Sequence, residues 1–169
     1  MNAPKFDLGA EPSLEDQAAV TEFLGFAPRG QFSVTVRRSD GKPAVLKNAP
    51  LMFDGTPMPT LYWLIDPELV KEVGQIESSG GVDLAENEVD PVELDECHAS
   101  YRQERDALMP TDWQGPAPSG GVGGTRTGVK CLHAHYAYFL SGGKDPVATW
   151  LVMRLRRLRK QQSASTGEQ

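Results

Sequence analysis

Cysteine and histidine are scarce in this chain, two and three residues among 169, and the scarcity limits the chemistry it can carry. No Cys-x-x-Cys pair anchors a metal site. In a reducing compartment two cysteines remain thiols, so a Cys97–Cys131 disulfide is disfavoured. No segment approaches the roughly 18 apolar residues of a membrane span, and the opening Met-Asn-Ala-Pro-Lys-Phe-Asp stretch holds no apolar run of signal-peptide length. A cytoplasmic protein is therefore expected. Positive charge is also in deficit: 17 Lys and Arg face 23 Asp and Glu, a net charge of −6. That balance argues against nucleic acid as a partner, because gripping a phosphate backbone requires a basic footprint that releases counterions.

Glycine and proline are plentiful, 17 and 13 residues, and imply long irregular connections in a chain of about one domain's length. Residues 1–12 read as a flexible arm, 13–160 as a single α+β domain and 161–169 as a disordered tail. Ser13 and Asp16 have capping-box spacing ahead of the apolar positions Leu14, Ala18, Val20 and Leu24. The β-branched run Gln31-Phe-Ser-Val-Thr-Val-Arg-Arg38, the turn Ser39-Asp-Gly-Lys42 and Ala44-Val-Leu-Lys47 predict a hairpin, and Thr60-Leu-Tyr-Trp-Leu-Ile65 a buried third strand. Asp66-Pro67, Asp90-Pro91 and Asp145-Pro146 repeat one helix-start signal. In each the carboxylate can cap, and proline at the first helical position lacks only an amide that would be orphaned anyway. The expected fold class is α+β, a small antiparallel or mixed sheet of about three strands with four to five helices packed against it on one face.

Charge is segregated along the chain. Residues 82–101 hold seven acids and no Lys or Arg, whereas residues 154–160 hold five basic residues in seven. The two segments can pair with each other. Alternatively, the last helix, with Leu151, Leu155 and Leu158 along one side, can touch an anionic membrane through residues 150–160 or dock by its leucines. Residues 110–128 form a Gly/Pro-rich loop inside the domain, of the kind used as a lid or a linker. It lacks Walker A spacing and a preceding strand, which argues against a phosphate cradle.

Residues 128–143 gather Cys131, His133 and His135 ahead of a double glycine, and predict a helix over 129–141. On a helical wheel Val129, Leu132, His133, Tyr136 and Leu140 share one face, and Cys131, His135 and Tyr138 another. Cys131 and His135, four apart, can then reach one metal ion; the bland alternative is that these are ordinary core residues. From the preceding helix Cys97 or His98 can meet Cys131 or His133, and zinc accepts three such N/S ligands. If the protein is an enzyme, Cys131, at a helix N-terminus beside Lys130, is the candidate nucleophile, with His98 or His133 as base. Arg29, Lys47, Arg102, Arg105 and Lys130 are candidate anion-binding residues for a phosphate or carboxylate. Solvated ion pairs among Arg102, Glu104 and Arg105 are the competing reading.

The segments Asp54-Gly-Thr-Pro-Met-Pro-Thr-Leu-Tyr-Trp-Leu64, His98-Ala-Ser-Tyr-Arg-Gln-Glu-Arg-Asp106 and Val129-Lys-Cys-Leu-His-Ala-His135 stand in this order. Together they resemble a bacterial family known as domain of unknown function 501. The pattern is similar at Asp54, Gly55, Pro57, Pro59 and Thr60, at His98, Tyr101 and Arg105, and at Lys130, Cys131, Leu132 and His133. Cys97 and His135 are less regular features of it. The resemblance therefore implies His98, Cys131 and His133 as the set for zinc or for catalysis, ahead of the Cys131/His135 pair. It supplies no activity. Relatives are often encoded beside a septum-formation protein and an exopolyphosphatase-like phosphatase, which implies a protein partner in cell division or envelope growth. Two functions are thus expected in competition. One is a cytoplasmic binding or regulatory domain with a zinc-holding Cys/His site; the other is a hydrolase or transferase acting on a phosphorylated or carboxylated small molecule through Cys131, His98 and His133.

Overall fold

Strand β2 (Pro43–Met52) organises the fold, because nearly all of its residues are buried. In the computed structural model, which describes residues 3–167, it is the central strand of a three-stranded antiparallel sheet. On one side it pairs with β1 (Gly30–Arg37) and on the other with β3 (Tyr62–Leu64). Side chains alternate across a strand, so neighbours on β2 serve different cores. Val45 faces the main core, whereas Leu46 packs with Val20 and Ile65.

Helices consequently cover both faces of the sheet, not one. Helix α1 (Leu14–Leu24) supplies Val20 to the Leu46 side. The main core is assembled from α2 (Pro67–Ser78), α3 (Gly81–Glu88), α4 (Pro91–Asp106), α5 (Leu132–Leu140) and α6 (Pro146–Thr166). The fold is α+β as its sequence predicts, with six helices among the described residues. The added one is α3. Its N-cap is Gly80 in the left-handed region, φ 83°, with no side-chain cap, so it lacks the Asp-Pro or Ser signal that marks α1, α2, α4 and α6.

Those signals act as expected. Asp66 accepts from the amides of Glu68 and Leu69, Asp90 from those of Val92 and Glu93, and Asp145 from that of Ala148. Ser13 and Asp16 form the reciprocal capping box, with bonds of 3.0 and 3.2 Å. Asp16 also receives both terminal nitrogens of Arg37, at 2.7 and 3.0 Å, which fastens α1 to β1.

Where a flexible arm is expected, Phe6 is buried with Ala49 and Leu51. The Gln31 carboxamide clasps this segment, accepting from the Phe6 amide and donating to the Pro4 carbonyl. An isolated aromatic in a polar stretch has no periodicity to announce such docking. At the other end α6 continues through Thr166, past the predicted start of a tail at residue 161. Met1 and Asn2 of the arm, and Glu168 and Gln169 of the tail, lie outside the described residues. Leu151 and Leu155 of α6 are 0% and 1% exposed, and each burial contributes about 1.5–3 kcal/mol. Two of its basic residues pair with acids of other helices, Arg154 with Glu88 and Arg159 with Glu72.

The Arg37 hydrogen bonds, opposed by burial and aided by Ser13, hold the Asp16 carboxyl down at about 2, from an ordinary 3.8. A depressed carboxyl stabilises the fold above its unfolded pKa, and the effect is lost as pH falls through the folded value. Asp16→Asn should therefore cost on the order of 1 kcal/mol at neutral pH. Urea denaturation of both proteins should show this gap closing as pH drops from about 4 toward 2.

Candidate functional site

Helix α5 begins one residue after Cys131, not before it. Cys131 is the N-cap, in extended conformation at φ −149° and ψ 117°, so the wheel expected for residues 129–141 does not apply to it. A thiol is a poor cap, and Cys131 makes no side-chain cap bond. The orphaned first turn is satisfied from elsewhere: Glu77, in the last turn of α2, accepts the Leu132 amide at 2.6 Å.

Glu77 then draws His133 into place. Its Oε1 lies 3.2 Å from His133 Nδ1, and His133 Nε2 lies 3.0 Å from the Val70 carbonyl. A carbonyl only accepts, so Nε2 carries a hydrogen and Nδ1 is turned toward Glu77 and toward Cys131 Sγ, 3.9 Å away. Burial alone lowers the imidazole pKa. The hydrogen bonds to Cys131 and to the Val70 carbonyl, with the Glu77 charge, outweigh it and hold His133 at about 9. Donor atoms of Glu77, Cys131 and His133 all lie within 4.8 Å of one another, in side chains that are half-buried.

His135 faces the other way. Its Nδ1 bonds Asp145 Oδ2 at 2.7 Å, in a spot where neither side chain has exposed surface. Cys97 completes this second group, also within 4.8 Å. Burial first, and the Asp145 carboxylate second, push the Cys97 thiol well above its ordinary range. The expected Cys131/His135 pair is therefore not brought together, because one residue is the N-cap and the other lies on the opposite side of α5.

His98 joins neither group. The Val122 amide donates to its Nδ1 at 3.0 Å, so Nε2 carries the ring hydrogen and donates to the Gly128 carbonyl at 2.9 Å. Burial chiefly lowers its pKa and keeps the ring neutral. With both nitrogens committed to backbone, His98 holds residues 122–128 against α4. Of the expected trio, the structure unites Cys131 and His133 and leaves His98 out.

The other α4 residues of the resemblance act alike. The Tyr101 hydroxyl accepts the amides of Leu61 and Tyr62, at 2.6 and 3.3 Å. Arg105, without exposed surface, donates through Nη1 to the carbonyls of Pro59, Ser119 and Gly120. Its Nη2 sits 2.7 Å from Asp106 Oδ1, close enough for an ion pair but out of line for a hydrogen bond. The five candidate anion-binding residues do not converge. Arg105 is spent on carbonyls, Arg29 faces Asp54, Lys47 faces Glu104, and Arg102 and Lys130 are exposed.

Sequence reading missed Glu77, whose partners lie more than 50 positions away. The available signal was a misplaced charge, since an acid in the last turn of a helix opposes the macrodipole. Asp145 carries the sequence signature of a cap, and its second role with His135 leaves no trace in spacing.

A small α+β domain with two thiol, imidazole and carboxylate groups is what the fold and site define, and none of the described helices is long and apolar enough to cross a membrane. A family model described as "Protein of unknown function (DUF501)" matches residues 34–153, well over half of the chain, and the chain belongs to that family. No curated protein and no solved structure matches it.

The clamp by His98 is testable through its tightest neighbour. A Cβ on Gly121 would stand 2.4 Å from His98 Nδ1. Gly121→Ala should cost about 1–3 kcal/mol by overpacking. In a His98→Gly background, which removes the Cβ and Cγ atoms at 2.6 and 2.7 Å together with Nδ1, the same change should cost clearly less, a non-additivity that a double-mutant cycle of denaturation midpoints measures.

Proposed function

We propose that the protein is a cytoplasmic binding and regulatory module whose Cys131, His133 and Glu77 hold a zinc ion at the start of α5. The observation that carries this reading is the spacing of the donor atoms around a histidine whose Nε2–H is held by the Val70 carbonyl, so that the Nδ1 proton, facing Glu77 and Cys131, is the one a metal ion displaces. Zinc bonds of about 2.0–2.3 Å at tetrahedral angles place neighbouring ligand atoms about 3.3–3.8 Å apart. His133 Nδ1 lies 3.2 Å from Glu77 Oε1 and 3.9 Å from Cys131 Sγ. The Val70 carbonyl holding Nε2–H is the outer partner that metal-bound histidines regularly have. Thiolate, carboxylate and neutral imidazole together balance a divalent cation. Three protein ligands at a half-buried site leave a fourth position for water or for a partner's side chain.

The regulatory role, and a partner in cell division or envelope growth, rest on the family resemblance and belong to this proposal. The hydrolase or transferase reading has less support. One of its two candidate bases, His98, is engaged through both nitrogens, and the cleft between α4 and α6 is lined by neither Cys131 nor His133.

Elemental analysis of untagged protein from zinc-replete medium tests the proposal. Wild type should carry zinc that Cys131→Ser, His133→Gln and Glu77→Gln each lose, since each removes one of three ligands. Zinc content unchanged by Cys131→Ser would sink the assignment.

A further inference from the structure

Helix α5 sends a histidine to each of its two sides, and each meets the same three kinds of donor. His133 has Cys131 and Glu77; His135, two residues on, has Cys97 and Asp145. The second group is the deeper one, with Cys97, His135 and Asp145 at 3%, 0% and 2% exposure.

Two properties set this group apart from an ordinary buried hydrogen bond. The first concerns the ring proton. Nδ1 faces Asp145, while Nε2 is buried without a hydrogen-bond partner. The proton can therefore move to Nε2 and free the Nδ1 lone pair toward Cys97 and Asp145, a freedom His98 lacks. The second is charge. A thiolate, a carboxylate and a neutral imidazole around a divalent ion sum to zero, the condition under which an ion tolerates full burial.

An ion also has a way in. Cys97 and Asp145 line a cleft of about 390 Å³ between α4 and α6, and Glu88, Glu93 and Glu96 stand around it against a single Lys144. Glu88 is engaged with Trp150 and Arg154, which leaves Glu93 and Glu96 to concentrate cations at the mouth.

We infer that Cys97, His135 and Asp145 form a second, buried site for a thiophilic divalent ion such as zinc, tying α4, α5 and the start of α6 together. Its entry sends the Cys97 thiol proton to water and shifts the imidazole proton from Nδ1 to Nε2. The 2.7 Å separation of His135 Nδ1 and Asp145 Oδ2 widens to about 3.3 Å around a tetrahedral ion. The site shares no ligand with that at Cys131, so each stands or falls alone.

Cobalt(II) is the probe, because thiolate ligation gives it a charge-transfer band in the near ultraviolet. The full chain, stripped with a chelator and titrated with cobalt, should bind two ions. Cys131→Ser should keep one thiolate band and Cys97→Ser the other, and the double variant should have none. The ion kept by Cys131→Ser should leave to a chelator about ten-fold or more slowly than the ion kept by Cys97→Ser, since its release requires local opening. Loss of every thiolate band in Cys131→Ser overturns the inference and leaves the first site standing, even if Cys97→Ser fails to fold. A band that persists in Cys131→Ser and is lost in the double variant supports it, and a cobalt stoichiometry of one in wild type, with no band left in Cys97→Ser, then removes the Cys131 site instead.

Discussion

The Arg105 guanidinium, with no surface exposed, gathers the carbonyls of Pro59, Ser119 and Gly120, and the rest of the structure hangs from this fork and its two neighbours on α4. Tyr101 takes the amides entering β3, and His98 takes Val122 and Gly128. Residues His98, Tyr101 and Arg105 follow one another at intervals of three and four, so one stripe of α4 fastens a loop and a strand at once. Each buried backbone group left unpaired costs about 1–3 kcal/mol, a large fraction of a domain's net stability of about 5–15 kcal/mol. Polar residues of α4 that look like site chemistry are thus the fastening of a loop that would otherwise have little to hold it.

That fastening delivers α5, and α5 is where chemistry concentrates. The loop must arrive at Cys131 in extended conformation for the helix to start at Leu132, and Glu77 of α2 must be there to receive its amide. An acid at the end of α2 opposes that helix's dipole by about 0.3–1 kcal/mol. The Leu132 amide and the His133 imidazole offset it, which explains why the charge is tolerated. On the far side Asp145 does comparable double duty, capping α6 and holding His135.

Signals confined to a few neighbouring residues were legible. The Ser13/Asp16 box, the three Asp-Pro starts, the hairpin turn with Gly41 at φ 83° and the α+β class all follow from local chemistry that tertiary structure did not override. Helix α3 was silent because a glycine cap carries no side-chain signature. The site was half legible. Cys131 and His133 belong together, but a wheel drawn from Val129 put Cys131 on a helix that had not yet begun. His98 looked like a ligand because its real partners are two backbone groups of a glycine-rich loop, and a backbone group has no residue identity to read. Glu77 is contributed by the fold alone.

The separation of partners along the chain gives the Cys131–His133 site a further property. Leu132 finds Glu77 across 55 positions, and His133 finds the Val70 carbonyl across 63. An unfolded chain does not assemble such a constellation, so a ligand that requires all of it binds only folded molecules. By mass action, occupancy at 100 times the dissociation constant adds about 2.7 kcal/mol to the folding equilibrium. A zinc ion held there as proposed would in this sense gauge the completed fold, and the abundance of the folded protein would become a function of that ion's concentration.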